Sequence, residues 1–165
     1  MLYLLDADTL ITGDRRAYPL ARFPVFWDWL VHQGATGRVK IAMEQFEEVT
    51  SGRGDLVDWL KGASVRAALV LDEEADPAVV AQVVAQGYAP DLDEQELEQL
   101  GRDPFLIAHA LREPGRRTVV TFEVSKPSKR RANRKVPDVC RAVGVPCCDL
   151  YRLIRDLDFT TDWRP

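Results

Sequence analysis

Short apolar runs alternating with helical patterns constrain the fold of this chain more than any other feature. The first run, Leu2–Leu5, is apolar at every position, the pattern of a strand buried on both faces. Residues 21–33, "ARFPVFWDWLVHQ", then carry apolar side chains at helical spacing around Trp27, Leu30 and Val31, with Gly34 and Gly37 as stops. "RVKIAM" predicts a short strand, and "EQFEEVTSG" and "DLVDWLKG" predict two helices. "AALVLD", residues 67–72, predicts another strand. Helices are expected over "DPAVVAQVVAQG", "DEQELEQLG" and "DPFLIAHALRE", followed by a strand at "RTVVTF". "VPDVCRAVG" reads as a helix, "VPCCDL" as a short extended piece and "LYRLIRDLD" as a last helix. Strands that alternate with helices predict an α/β fold with a parallel sheet covered on both faces. With no internal repeat and no linker, residues 1–165 read as a single domain.

At 46% hydrophobic, 165 residues suffice for one real core. The net charge of −4 excludes a protein that binds nucleic acid by bulk charge, so any such role must be local. One segment offers it: "KPSKRRANRK" holds Lys126, Lys129, Arg130, Arg131, Arg134 and Lys135 without an acid, and reads as a mobile basic loop that could hold RNA phosphates. Cys140, Cys147 and Cys148 lack paired spacing for zinc or a disulfide framework and read as reduced core thiols. The first apolar run is too short for a signal peptide and lacks a basic start, and nothing approaches the ~18 apolar residues of a membrane span. A cytoplasmic protein with no membrane partner is expected.

In an open α/β sheet, ligands bind outside the carboxyl ends of the strands. Asp6 and Asp8 follow the first strand, Glu44, Glu47 and Glu48 lie on the helix after the second, and Glu123 follows Val119-Val120-Thr121. Asp103 opens the helix before that strand. Asp6, Glu48, Asp103 and Glu123, from four segments, could therefore meet on one rim. A carboxylate set without His or Cys favours a hard cation, Mg²⁺ or Mn²⁺, and such ions serve phosphodiester hydrolysis.

These segments resemble the PIN domain family of metal-dependent ribonucleases. "YLLDADTLI" is similar to its first motif, "FEEVTSG" to its second, "DPFLIAHAL" to its third and "VVTFE" to its fourth, in order across nearly the whole chain. "GDLVDWLKG", "KVPDVCRAVGV" and "PCCDL" resemble most an uncharacterised bacterial PIN-like branch, with the VapC-type toxins as relatives. The resemblance implies a Rossmann-like three-layer α/β/α sandwich and an Mg²⁺- or Mn²⁺-dependent endoribonuclease. It makes Asp6, Asp103 and Glu123 metal ligands, adds Glu48 to the catalytic set, and places Thr121 and Asp8 behind the ligands or against substrate. Glu stands at 123 where many relatives have Asp, and its longer reach puts a second metal in doubt. The toxin half of a toxin–antitoxin pair would also have an antitoxin protein as partner, and a homodimer is compatible with the family.

Each acid also has a plainer reading. Asp8 suits a helix N-cap as well as a ligand. Glu44 and Glu48 share a helix face, so the rim position is open between them, with the spacing to Gly52 favouring Glu48. Asp103-Pro104 repeats Asp76-Pro77, an ordinary capped helix start. Asp138 and Asp149 read as structural, the first as a cap. His32 is expected exposed, His109 on another helix face from Asp103, and Trp27, Trp29 and Trp59 in the core. Two rival functions share the opening. One is a catalytically weak PIN-like module that binds RNA or a partner. The other is a haloacid-dehalogenase-like phosphatase with Asp6 as nucleophile, which needs a late acidic pair that the chain does not supply.

Overall fold

The structure, a computed structural model, describes residues 1–164. In chain order it comprises β1 (Leu2–Leu5), α1 (Ala7–Thr12), α2 (Pro24–Ala35), β2 (Val39–Lys40), α3 (Met43–Thr50), α4 (Asp55–Lys61) and α5 (Ala63–Leu69). There follow α6 (Pro77–Val83), α7 (Glu94–Leu100), α8 (Asp103–Leu111), β3 (Arg117–Val120), α9 (Val136–Val143), β4 (Cys147–Cys148) and α10 (Leu150–Asp156). The four strands form one parallel sheet in the order β2-β1-β3-β4.

Successive side chains of a strand point to opposite faces, and both faces here are apolar. Tyr3, Leu5 and Val120 join a core with Leu10, Trp27, Trp29, Leu30, Phe46, Leu60 and Leu153, so α1 to α5 and α10 cover that side. Leu4 and Val119 point the other way, into Val83, Leu100, Leu106, Ile107 and Val139 of α6 to α9. The result is the expected three-layer α/β/α sandwich. Trp27 and Trp29 are fully buried and Trp59 packs edge-on against Trp27, as core residues. His32 is half-buried, its ring 5.3 Å from that of Trp163, rather than exposed.

One strand expectation is overturned. Within 67–72, Ala67 to Leu69 continue the helix α5, and Val70 alone bridges Ile41 in parallel fashion. Alanine is the strongest helix former, and Ala63, Ala67 and Ala68 carry the helix almost to the sheet edge before two backbone hydrogen bonds to Ile41 end it. Asp138 is likewise not a cap. It lies inside α9, 3% exposed, and accepts hydrogen bonds from the Ser125 hydroxyl and the Lys126 N–H. Asp149 does cap α10, through the Arg152 N–H. Cys140 is buried, Cys147 and Cys148 are half-buried, and all three are free thiols. Among the described residues no helix is long and apolar enough to cross a membrane.

Candidate active site: an acidic rim at the switch point of the sheet

The chain runs from β1 to one neighbour, β2, and later to the other, β3, so the strand order reverses between β1 and β3. The backbones diverge there and leave a crevice beyond the strand ends. Asp6 and Thr121 occupy it, each the first residue past its strand. The Thr121 hydroxyl donates to Asp6 Oδ2 at 2.7 Å, the Asp6 N–H donates to the Val120 carbonyl, and the Thr9 hydroxyl donates to that same carbonyl. Asp6 is therefore fixed in place, and it is 5% exposed. Burial pushes its carboxyl up to about 6, against the Thr121 hydrogen bond, and the charges of Asp8, Glu48 and Glu123 push in the same direction.

Asp103 differs from its look-alike Asp76. Asp76 caps α6, accepting the Ala78 N–H. Asp103 is already inside the first turn of α8, whose N-cap is Arg102, and the helix has no side-chain cap. Its carboxyl is left to face the rim. Burial pushes it up to about 8, helped by Asp6, Glu123 and Glu48, with Lys135 pulling it down.

Asp8 is not an N-cap: it lies in the first turn of α1 and accepts the Thr12 hydroxyl at 2.7 Å. The three glutamates of α3 separate cleanly. Glu44 meets the buried His109 imidazole at 3.2 Å, and Glu47 pairs with Arg102 at 2.6 Å. Glu48 alone turns to the rim, its carboxyl raised by partial burial and by Asp8, with Arg102 opposing. Glu123 is near the same acids but engaged at both oxygens. Oε1 accepts the Lys135 ammonium at 2.6 Å and Oε2 the Val136 N–H at 2.8 Å. Direct ligation by Glu123, as expected from the sequence, would require it to release those partners.

The basic segment is tied down, not a free loop. Arg131 pairs with Glu96 and Asp91, Arg134 donates to the carbonyls of Gly87 and Asp138, and Arg130 donates to that of Pro127. Lys126 and Lys129 are exposed and make no ion pair among the described residues. Together with Arg134 and Lys135 they line a cleft of about 320 Å³ whose other walls include Asp103, Glu123 and Tyr88. No motif or spacing in the sequence marks Tyr88. It is 7% exposed, and its hydroxyl is buried without a hydrogen-bond partner. Burial, and after it the charge of Asp103, raises its phenol above the ordinary range.

The donor set fits a hard divalent cation. Asp6 is buried and Asp103 half-buried, neighbouring acids raise the proton affinity of both, and an oxygen-bound cation relieves that repulsion as a proton does. The acids surround the crevice without forming a cage: among the described residues no group of three or more His, Cys, Asp or Glu side chains stands ready to hold a metal ion.

Fold and rim together define an α/β protein with an acidic crevice at the switch point of its sheet. Over residues 3–161 the chain matches a family described as a domain of unknown function (DUF4411), and it belongs to that family. No curated protein and no solved structure matches it.

Proposed function

We propose that this protein is a PIN-like, Mg²⁺- or Mn²⁺-dependent endoribonuclease. The observation that carries the reading is the acid set at the switch point, with Asp6 buried and tied to Thr121 and the half-buried Asp103 close enough for Asp6 to raise its proton affinity. The order of the four motif-like segments supports it. Asp6 and Asp103 would hold the principal cation, with Glu48 assisting from α3. A divalent cation there would supply Lewis-acid charge to a phosphodiester and lower the pKa of a water. Thr121 fixes the Asp6 carboxylate so that one oxygen is directed by the hydrogen bond and the other is left for the site. Glu48, raised in proton affinity, is suited to orient a water and take its proton. Lys126 and Lys129 lie where the phosphates of an RNA strand would enter the cleft. If the protein is a toxin, its antitoxin would cover this rim.

The engagement of Glu123 with Lys135 favours a second reading, a catalytically weak module that binds RNA or a partner. One experiment separates the two. Purified protein is incubated with mixed RNAs and Mn²⁺ or Mg²⁺, beside Asp6→Asn and Asp103→Asn. Metal-dependent cleavage lost in both variants is expected, and cleavage that survives both rejects the site. No cleavage together with no metal-induced stabilisation favours the module. Turnover of small phosphate esters would revive the phosphatase.

A further inference from the structure

Nucleases that cleave with two divalent ions set one on each side of the scissile phosphate. Here a cation of the chain's own lines the cleft beside Asp103 and Glu123. Lys135 stands at the N-cap position of α9, and its ammonium is held on Glu123 Oε1 at 2.6 Å. The Lys135 side chain is 35% exposed, so it is held by the protein but reachable from the cleft. The Glu123 hydrogen bond, and beyond it the charges of Asp103 and Asp8, keep it firmly protonated. An ammonium has three donors, and Glu123 takes one. Tyr88 lines the same cleft, its hydroxyl buried behind the wall without a hydrogen-bond partner, and a phosphate oxygen is an acceptor that would satisfy it once the ring shifts toward the cleft.

We infer that Lys135 and Tyr88 form a phosphate seat that takes the place of a second metal ion, so that the chain binds one divalent cation. The inference rests on the metal-dependent reading above. It gives Glu123 the task of positioning Lys135 rather than of ligating metal. An ammonium on Glu123 repels a divalent ion approaching the same oxygens, while it attracts the phosphate that such an ion would otherwise hold.

The test is Mn²⁺ titration calorimetry on the purified protein, with circular dichroism to confirm that each variant is folded. One Mn²⁺ per chain is expected for the wild type, for Lys135→Arg and for Glu123→Gln. Lys135→Met should take up a second ion, because Glu123 loses its cation. Inorganic phosphate, titrated into the Mn²⁺-loaded protein, should bind roughly tenfold more weakly to Lys135→Met and several-fold more weakly to Tyr88→Phe. Tyr88→Phe should leave the metal count at one. Two ions in the wild type would overturn the inference while leaving the ribonuclease reading intact. So would loss of the single ion in Glu123→Gln, or phosphate affinity unchanged in both Lys135→Met and Tyr88→Phe. Should Lys135→Met fail to fold, the wild-type count, Glu123→Gln and Tyr88→Phe decide alone. No Mn²⁺ bound by the wild type would overturn this inference and the metal-dependent reading together.

Discussion

The Thr121 hydroxyl and the Asp6 carboxylate, 2.7 Å apart, tie the ends of the two central strands together across the switch point. The same hydroxyl accepts the Glu123 N–H at 3.1 Å, so it also sets the chain's direction as it leaves β3. Thr121→Val keeps the shape and leaves both groups unpaired. It should destabilise the protein by about 1–3 kcal/mol, read from urea unfolding. It should also raise the Asp6 carboxyl further, because the hydrogen bond that holds it down is gone. Mn²⁺ affinity below pH 7 should then fall, since the ion competes with a proton that binds more tightly.

Metal-free protein should lose stability as pH rises from about 5 to 8. Asp103 in the folded chain holds its proton up to about 8, and Asp6 up to about 6, against an ordinary value of 3.8. Across that interval the folded state binds more protons than the unfolded state, so ΔG of unfolding falls with pH, by an amount on the order of a few kcal/mol. Acids held below their ordinary range, such as Glu73 beside Arg117, have completed their contribution before this window opens. Thermal melts in EDTA at intervals of pH should record the decline. Asp103→Asn should flatten most of it and melt higher than the wild type at pH 8. Mn²⁺ at pH 8 should raise the wild-type melting temperature by mass action and leave Asp103→Asn nearly unmoved.

Fold and rim differ in how far the sequence reveals them. β1 is an unbroken apolar run and β3 ends in the apolar pair Val119-Val120 because both faces of the sheet are covered, and Asp6 and Thr121 follow directly from where those runs stop. The edge did not read correctly, because "AALVLD" is apolar with either period and only helix propensity separates α5 from a strand. Asp76 and Asp103 share the dipeptide Asp-Pro, yet the helix begins one residue earlier relative to the second, and that frees its carboxylate. The tie of Glu123 to Lys135 spans twelve residues around a loop, a distance over which no periodicity acts. Tyr88 carries no sequence signal at all. Its meaning comes from a wall of the cleft that exists only once α7, the start of α8 and residues 123–135 are assembled.

Gly34 marks where the helical layer fits most tightly. A Cβ there would stand 2.7 Å from the Ala68 carbonyl oxygen and 2.7 Å from Leu69 Cδ2, so α2 and α5 approach only because no side chain intervenes. Gly34→Ala should therefore destabilise by roughly 1–3 kcal/mol, despite alanine's better helix propensity. Gly13 provides the contrast. Its backbone is helical, at φ −55°, and its Cβ would meet only Leu150 Cδ2 at 3.7 Å. Gly13→Ala should raise stability by about 0.4–1 kcal/mol. Melting curves of the two variants should move in opposite directions.

Glu44 and Glu48 test the acidic rim most sharply, because they sit one helical turn apart on α3 and differ in what they face. Glu44 is joined to the fully buried His109, whose Nε2 lies 3.2 Å away. Glu48 faces Asp8 and the crevice. Glu44→Gln weakens a buried polar pair and should lower metal-free stability by about 1 kcal/mol, while keeping the Mn²⁺-induced rise in melting temperature. Glu48→Gln removes one of several mutually repelling charges, so metal-free stability should hold or rise. The Mn²⁺-induced rise should shrink, because one oxygen donor with negative charge is lost from the crevice. Parallel melts of both variants with and without Mn²⁺ decide it. Equal metal response in the two would remove Glu48 from the site, and a response lost only in Glu44→Gln would move the site to the His109 side of the helix.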